Sequence, residues 1–210
     1  MGYMRGFMTA YFQQSWPLYL IVIVFFGTGI LMGSLGANTL PPEQIKDLQS
    51  YLQSFFAQAA EIEVDRSKMF KGILSDNLLI GLVIYILGLT IICLPLVLAL
   101  IFFRGFVLGF TIGFLTANSD WREFMIVFIS MLPQNLLFIP ALIIGGAAAL
   151  SFSMRLVRRL FNSQTQIAPQ FAGYTLIMSG CVLAFALAAL AEGYITPELT
   201  RLLASLLANG

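Results

Sequence analysis

The chain contains no histidine. That absence removes Ser-His-Asp triads, HExxH zinc sites, His-ligated haem and histidine proton relays together. Charge is scarce too. Only 10% of residues are Asp, Glu, Lys or Arg, and a net charge of +1 leaves no basic field for nucleic acid. The acids fall outside the long apolar runs, which argues against an intramembrane aspartyl dyad or a carboxylate relay. Neither a P-loop nor a GxGxxG occurs. Cys93 and Cys181 sit in separate apolar runs, where small buried residues are expected rather than a disulfide or a metal pair. Little remains for an enzyme to work with. No catalytic residue, cofactor or metal site is expected.

Apolar sequence is what the chain has in abundance. It is 59% hydrophobic with a mean hydropathy of +0.90, the composition of an integral membrane protein with one membrane domain. Leu18 to Ala37 is uncharged and long enough to cross about 30 Å of hydrocarbon at about 1.5 Å per residue. The spans behind it favour an uncleaved anchor over a signal peptide. Residues 1–17 carry Arg5, Phe7, Tyr11, Phe12 and Trp16 and read as a cytoplasmic interfacial lead-in. Further uncharged runs cover 77–103, 105–119, 124–154 and 171–191.

Residues 38–76 form the one long polar segment, expected as an extracytoplasmic loop. After Pro41-Pro42 and Glu43, the residues Ile45, Leu48, Leu52, Phe55, Phe56 and Ala59 recur at helical spacing, while Lys46, Asp47, Gln49 and Gln53 fall largely elsewhere. The pattern predicts an amphipathic helix of about five turns. Its apolar face either lies on the bilayer or docks a partner. The docking set would be Ile45, Leu48, Leu52, Phe55 and Phe56.

Around Pro95 two registers compete. A long tilted span can end near Arg104, which then snorkels to the interface; or the turn lies at Cys93-Leu94-Pro95 and Arg104 sits in mid-membrane. An unpartnered arginine at the bilayer centre costs at least about 3 kcal/mol, which favours the first. Gly105, Gly109 and Gly113 then form one small-residue face, and Gly29 and Gly33 form another. The longer face serves either packing between spans or a seam in a homo-oligomer; both stay open.

Pro133 and Pro140 flank Gln134 and Asn135 inside the uncharged run 124–154. Proline cannot donate to a helix ladder, and hydrocarbon cannot satisfy two amides. A short oblique or re-entrant half before Pro133, then a full span to Met154, is the simplest reading. Gln134 and Asn135 are expected to hydrogen-bond a neighbouring helix.

The expected fold is an all-α polytopic membrane protein of about five transmembrane helices, with one broken or re-entrant segment at Pro133 and an amphipathic outer helix. Span 1 is residues 18–37, spans 2 to 5 occupy 77–192, and 193–210 is an extracytoplasmic amphipathic tail. Arg155, Arg158 and Arg159 cluster after the fourth span and mark the cytoplasmic side. The N-terminus is therefore inside and the C-terminus outside.

Several short stretches, in this order and spacing, resemble a known family. They are Asn77-Leu78-Leu79-Ile80-Gly81, then Phe103-Arg104-Gly105-Phe106-Val107-Leu108-Gly109-Phe110, then Leu132-Pro133-Gln134-Asn135 through Pro140-Ala141 to Gly145-Gly146. The chain is similar over nearly its whole length to stage II sporulation protein M. In the wider family Asn-Gly often stands at Arg104-Gly105 and Pro-His-Gly at Pro133-Gln134-Asn135; the departure matches the sporulation branch. The resemblance implies a non-enzymatic scaffold at the septal membrane during engulfment in endospore formation. It also implies two peptidoglycan-degrading partners, stage II sporulation proteins D and P. The broken helix at Pro133, with Gln134, Asn135 and Arg104, supports the rival reading of a permease-like or channel subunit.

Overall fold

The computed structural model describes residues 2–61, 66–90, 94–118, 120–161, 168–200 and 202. Its elements are α1 (Gly2–Asn38), α2 (Pro42–Glu61), α3 (Arg66–Gly88), α4 (Leu94–Asn118), α5 (Trp121–Phe161) and α6 (Ala168–Leu190), with a π-turn over Ala191–Ile195. Five helices are long and apolar enough to cross a membrane: all but α2. This is an all-α polytopic membrane fold.

Close contacts fix the helix directions. Phe26, Ile30 and Ser34 of α1 meet Gly105, Gly109 and Gly113 of α4 in rising order, so these two helices run parallel. Added methyl groups at Gly105 and Gly109 would strike the carbonyls of Phe26 and Ile30; at Gly29 and Gly33 they would strike those of Phe102 and Phe106. The two glycine faces are thus reciprocal, each backbone nested in the gap left by the other. α3 runs antiparallel to α6, with Gly81 near Phe185 and Gly88 against Tyr174. α5 opposes both α4 and α6: Phe138 meets Arg104 and Gly146 meets Ile101, while Phe138, Gly145 and Phe152 meet Phe185, Met178 and Tyr174 in falling order. The five long helices therefore alternate in direction along the chain.

α5 is the hub. Its apolar window is 67% buried, against 17–39% for the other four. The small run Ala147, Ala148, Ala149 lets neighbours approach, and Phe138, Leu142, Leu150 and Phe152 fill the space with Tyr174, Met178 and Phe185 of α6. Phe152 stacks on Tyr174 at 4.8 Å and Phe138 tilts onto Phe185 at 4.8 Å.

Two expectations are corrected. α3 ends at Gly88 and α4 begins at Leu94, so Arg104 lies within α4 and not at a helix end. Pro95 is in the first turn of α4, where the missing N–H had no partner to lose. The end of α3 is held by the Tyr174 hydroxyl, which donates to the carbonyls of Tyr85 at 2.9 Å and Ile84 at 3.3 Å. From Leu94, Arg104 is about 15 Å along the helix, and about 21 Å remains to Asn118.

Second, α5 is one helix through both Pro133 and Pro140, not a re-entrant half followed by a span. Polar side chains donate into the turn preceding Pro133. Asn135 Nδ2 donates to Met131 O at 2.9 Å, and Thr196 Oγ1 donates to Ser130 O at 3.0 Å. These donors dress a proline-disturbed stretch that hydrocarbon would leave bare.

Candidate functional site

Arg104 meets polar side chains from α3, α5 and the π-turn. Arg104 of α4 points into a cavity of about 140 Å³, whose wall includes Asp76 and Asn77 of α3, Gln134 and Asn135 of α5, and Glu192 of the π-turn. Phe138 and Ala188 supply its apolar part. A second cavity of about 90 Å³, between α4, α5 and Phe26 of α1, shares Arg104, Gln134, Asn135 and Phe138 with the first. The first cavity lies toward the α2 side of the bundle, and Leu142 floors the second. The opposite side is closed by the packed layer of Val97, Ile101, Leu142 and Ala149.

Each polar group is positioned by a neighbour. The Arg104 guanidinium carbon sits 4.8 Å from the centroid of the Phe138 ring, within cation–π range. Across the cavity it is attracted by the carboxylates of Glu192 and Asp76. The Gln134 amide, assigned so that its nitrogen faces the carboxylate, donates to Glu192 Oε2 at 2.9 Å and Oε1 at 3.2 Å. Asn77 is buried and donates from Nδ2 to Phe185 O at 3.2 Å. Asp76 is exposed and stands at the mouth.

The π-turn brings Glu192 to this place. Pro197 has no N–H for the carbonyl four residues earlier, and the wider turn just before it takes up the misfit: the Thr196 N–H bonds back to Ala191 O. Thr200 Oγ1 and Thr196 Oγ1 anchor the far end to Ser130, at 2.9 and 3.0 Å. Gly193 leaves room for Phe70, whose ring lies 5.5 Å from that of Tyr194. The last long helix hence continues to Thr200, and its apolar stretch, residues 169–200, contains Glu192. Apolar runs free of carboxylates were the expectation; Glu192, and Asp76 within the stretch Phe70–Gly88, correct it. The available signal was the apolar sequence resuming after Glu192, at Tyr194, Ile195 and Leu199.

The other singled-out residues sit elsewhere. Gly105, Gly109 and Gly113 face α1, and each is buried. Ile45 and Leu48 of α2 are half-buried, and Gln49 Nε2 donates to Asn118 O at 3.2 Å. The side chains of Leu52, Phe55 and Phe56 lie outside the described residues. Cys181 is buried against Gly145, while Cys93 lies outside the described residues.

No curated protein and no solved structure matches the chain. The family model of stage II sporulation protein M matches residues 22–197, which takes in the glycine seam, the proline-bearing hub helix and every wall of the cavity. A multi-pass membrane protein with this match over most of its length belongs to the stage II sporulation protein M family.

Proposed function

We propose that the protein is a non-enzymatic membrane scaffold that recruits peptidoglycan-degrading partners to the septal membrane during engulfment. Family membership supports the sporulation setting. The arrangement of α2 carries the docking reading: an amphipathic helix of 20 residues joined to the end of α4 by the Gln49–Asn118 hydrogen bond. Its apolar face is suited to a partner beside the membrane, and tethering there raises that partner's effective concentration at the wall. In this reading the N-terminus and the Arg155, Arg158 and Arg159 cluster are cytoplasmic. α2 is then outside, and stage II sporulation proteins D and P are the recruited hydrolases. Reversing Lys46 and Asp47 together with Phe55→Ala and Phe56→Ala tests it. The expected result is loss of D and P co-purification with normal membrane levels of the variant. Undiminished recruitment would refute the α2 assignment.

A second reading, a permease-like subunit, is favoured by one observation: charged groups from α3, α4 and the π-turn surround a cavity inside the bundle. Altered solute flux in Gln134→Leu/Asn135→Leu, with the partner complex intact, would select it over the scaffold.

A further inference from the structure

The geometry points to a binding site, at the cavity between Arg104 and Glu192, for a small zwitterionic solute the size of a short-chain free amino acid. The carboxylate would take Arg104 and the ammonium Glu192. This inference does not depend on the scaffold reading, since none of its residues belongs to α2.

Three observations carry it. The first is charge placement. Opposite charges come from separate elements, α4 and the π-turn, and face one space rather than one another's helix. A simple cation would serve Glu192 and be repelled by Arg104; a simple anion would do the reverse. A solute with both charges meets each half-buried group with its opposite, beside the Phe138 and Gln134 contacts already in place. Asp76, exposed at the mouth, acts on both inner groups and attracts the ammonium end of an approaching solute to the mouth.

The second is size and lining. About 140 Å³ is room for four or five waters at about 30 Å³ each, the scale of a solute of a few heavy atoms. Phe138 and Ala188 offer an apolar wall for a methyl or methylene group, while Gln134, Asn135 and Asn77 supply amides. Sites of this kind combine apolar surface with a few placed polar groups.

The third is the backbone. The site is bounded by the π-turn carrying Glu192 and by the Pro133 turn of α5, which carries Gln134. Irregular helix at membrane depth recurs where cavities are lined and solutes bound.

The test is equilibrium binding to the purified full-length protein in nanodiscs, with alanine, acetate and methylammonium as probes. Saturable alanine binding is expected, with acetate and methylammonium each weaker by about tenfold or more. Arg104→Gln and Glu192→Gln should each lower alanine affinity by about tenfold or more, while Arg158→Gln, outside the cavity, leaves it unchanged. Methylammonium matching alanine would overturn the proposal in favour of a cation site, and acetate matching alanine in favour of an anion site. No saturable alanine binding up to millimolar concentration would overturn it outright. Should a variant not fold, the three-probe comparison on the unmodified chain decides alone.

Discussion

The guanidinium of Arg104 lies over the face of Phe138, 4.8 Å from the ring centroid, and beyond that ring Phe138 leans on Phe185. One arginine is thereby coupled to the aromatic centre of the bundle. Desolvated cation–π contacts are worth about 2 kcal/mol. Phe138→Leu keeps the apolar volume roughly and removes the quadrupole. It should lower stability by about 2–3 kcal/mol, read as a lower thermal midpoint in detergent. The same substitution in an Arg104→Gln background should cost about 1 kcal/mol less.

Arg104 and Glu192 compensate one another. Removing either charge leaves the other inside the bundle with a weaker set of partners. Arg104→Gln and Glu192→Gln should each destabilise by about 1–3 kcal/mol, and the double variant by less than their sum. A double-mutant cycle in thermal or denaturant unfolding measures the difference. Strict additivity would mean the two groups act independently.

Tyr174 and Gly88 form a lock at the end of α3. The hydroxyl accepts no substitute for its two carbonyl partners, so Tyr174→Phe should cost about 1–3 kcal/mol. Gly88→Ala would drive a methyl into that hydroxyl and destabilise by about 1–3 kcal/mol or more. In a Tyr174→Phe background Gly88→Ala should be milder, because the nearest obstacle has gone. Unfolding midpoints of the four proteins check this.

The glycine seam separates from other glycines in a direct comparison. Gly109→Leu should abolish the α1–α4 contact and yield little folded protein, since the obstacle is the Ile30 backbone, which cannot rotate away. Gly180→Ala, with nothing within 4 Å of the added carbon, should be neutral or stabilise by about 0.5–1 kcal/mol through helix propensity. Yield and thermal midpoint distinguish them.

Orientation is testable with single cysteines at Ser67 and Arg158 after Cys93 and Cys181 are replaced by alanine. An impermeant maleimide on intact cells should label the first and not the second. The reverse pattern would invert the proposed topology.

Much of this architecture was legible in the sequence. Uncharged runs revealed the spans, and spacing of four between glycines revealed both faces of the seam. Pairing them needed the structure, because a face does not name its partner. The cavity was less legible for a different reason. Asp76 and Glu192 each sit at the edge of an apolar run, where hydropathy assigns them to water, and Arg104 lies 88 residues from Glu192. Pro95 held the clue to the register: a proline suits the first turn of a helix, and reading it so puts Arg104 at mid-span. Pro133 misled for the opposite reason. Thr196 and Asn135, which make the proline tolerable, include a residue on another helix.

The parallel seam between α1 and α4 also dictates an order of assembly. α1 enters the bilayer first but cannot find its mate until α3 has returned and α4 has emerged alongside it. The amphipathic segment between α1 and α3 must therefore be laid down before the seam shuts. A nascent chain halted after α3 would leave Gly29 and Gly33 without the α4 backbone they pack against. Closure of the seam would then mark the moment at which this membrane bundle ceases to be a string of separate helices.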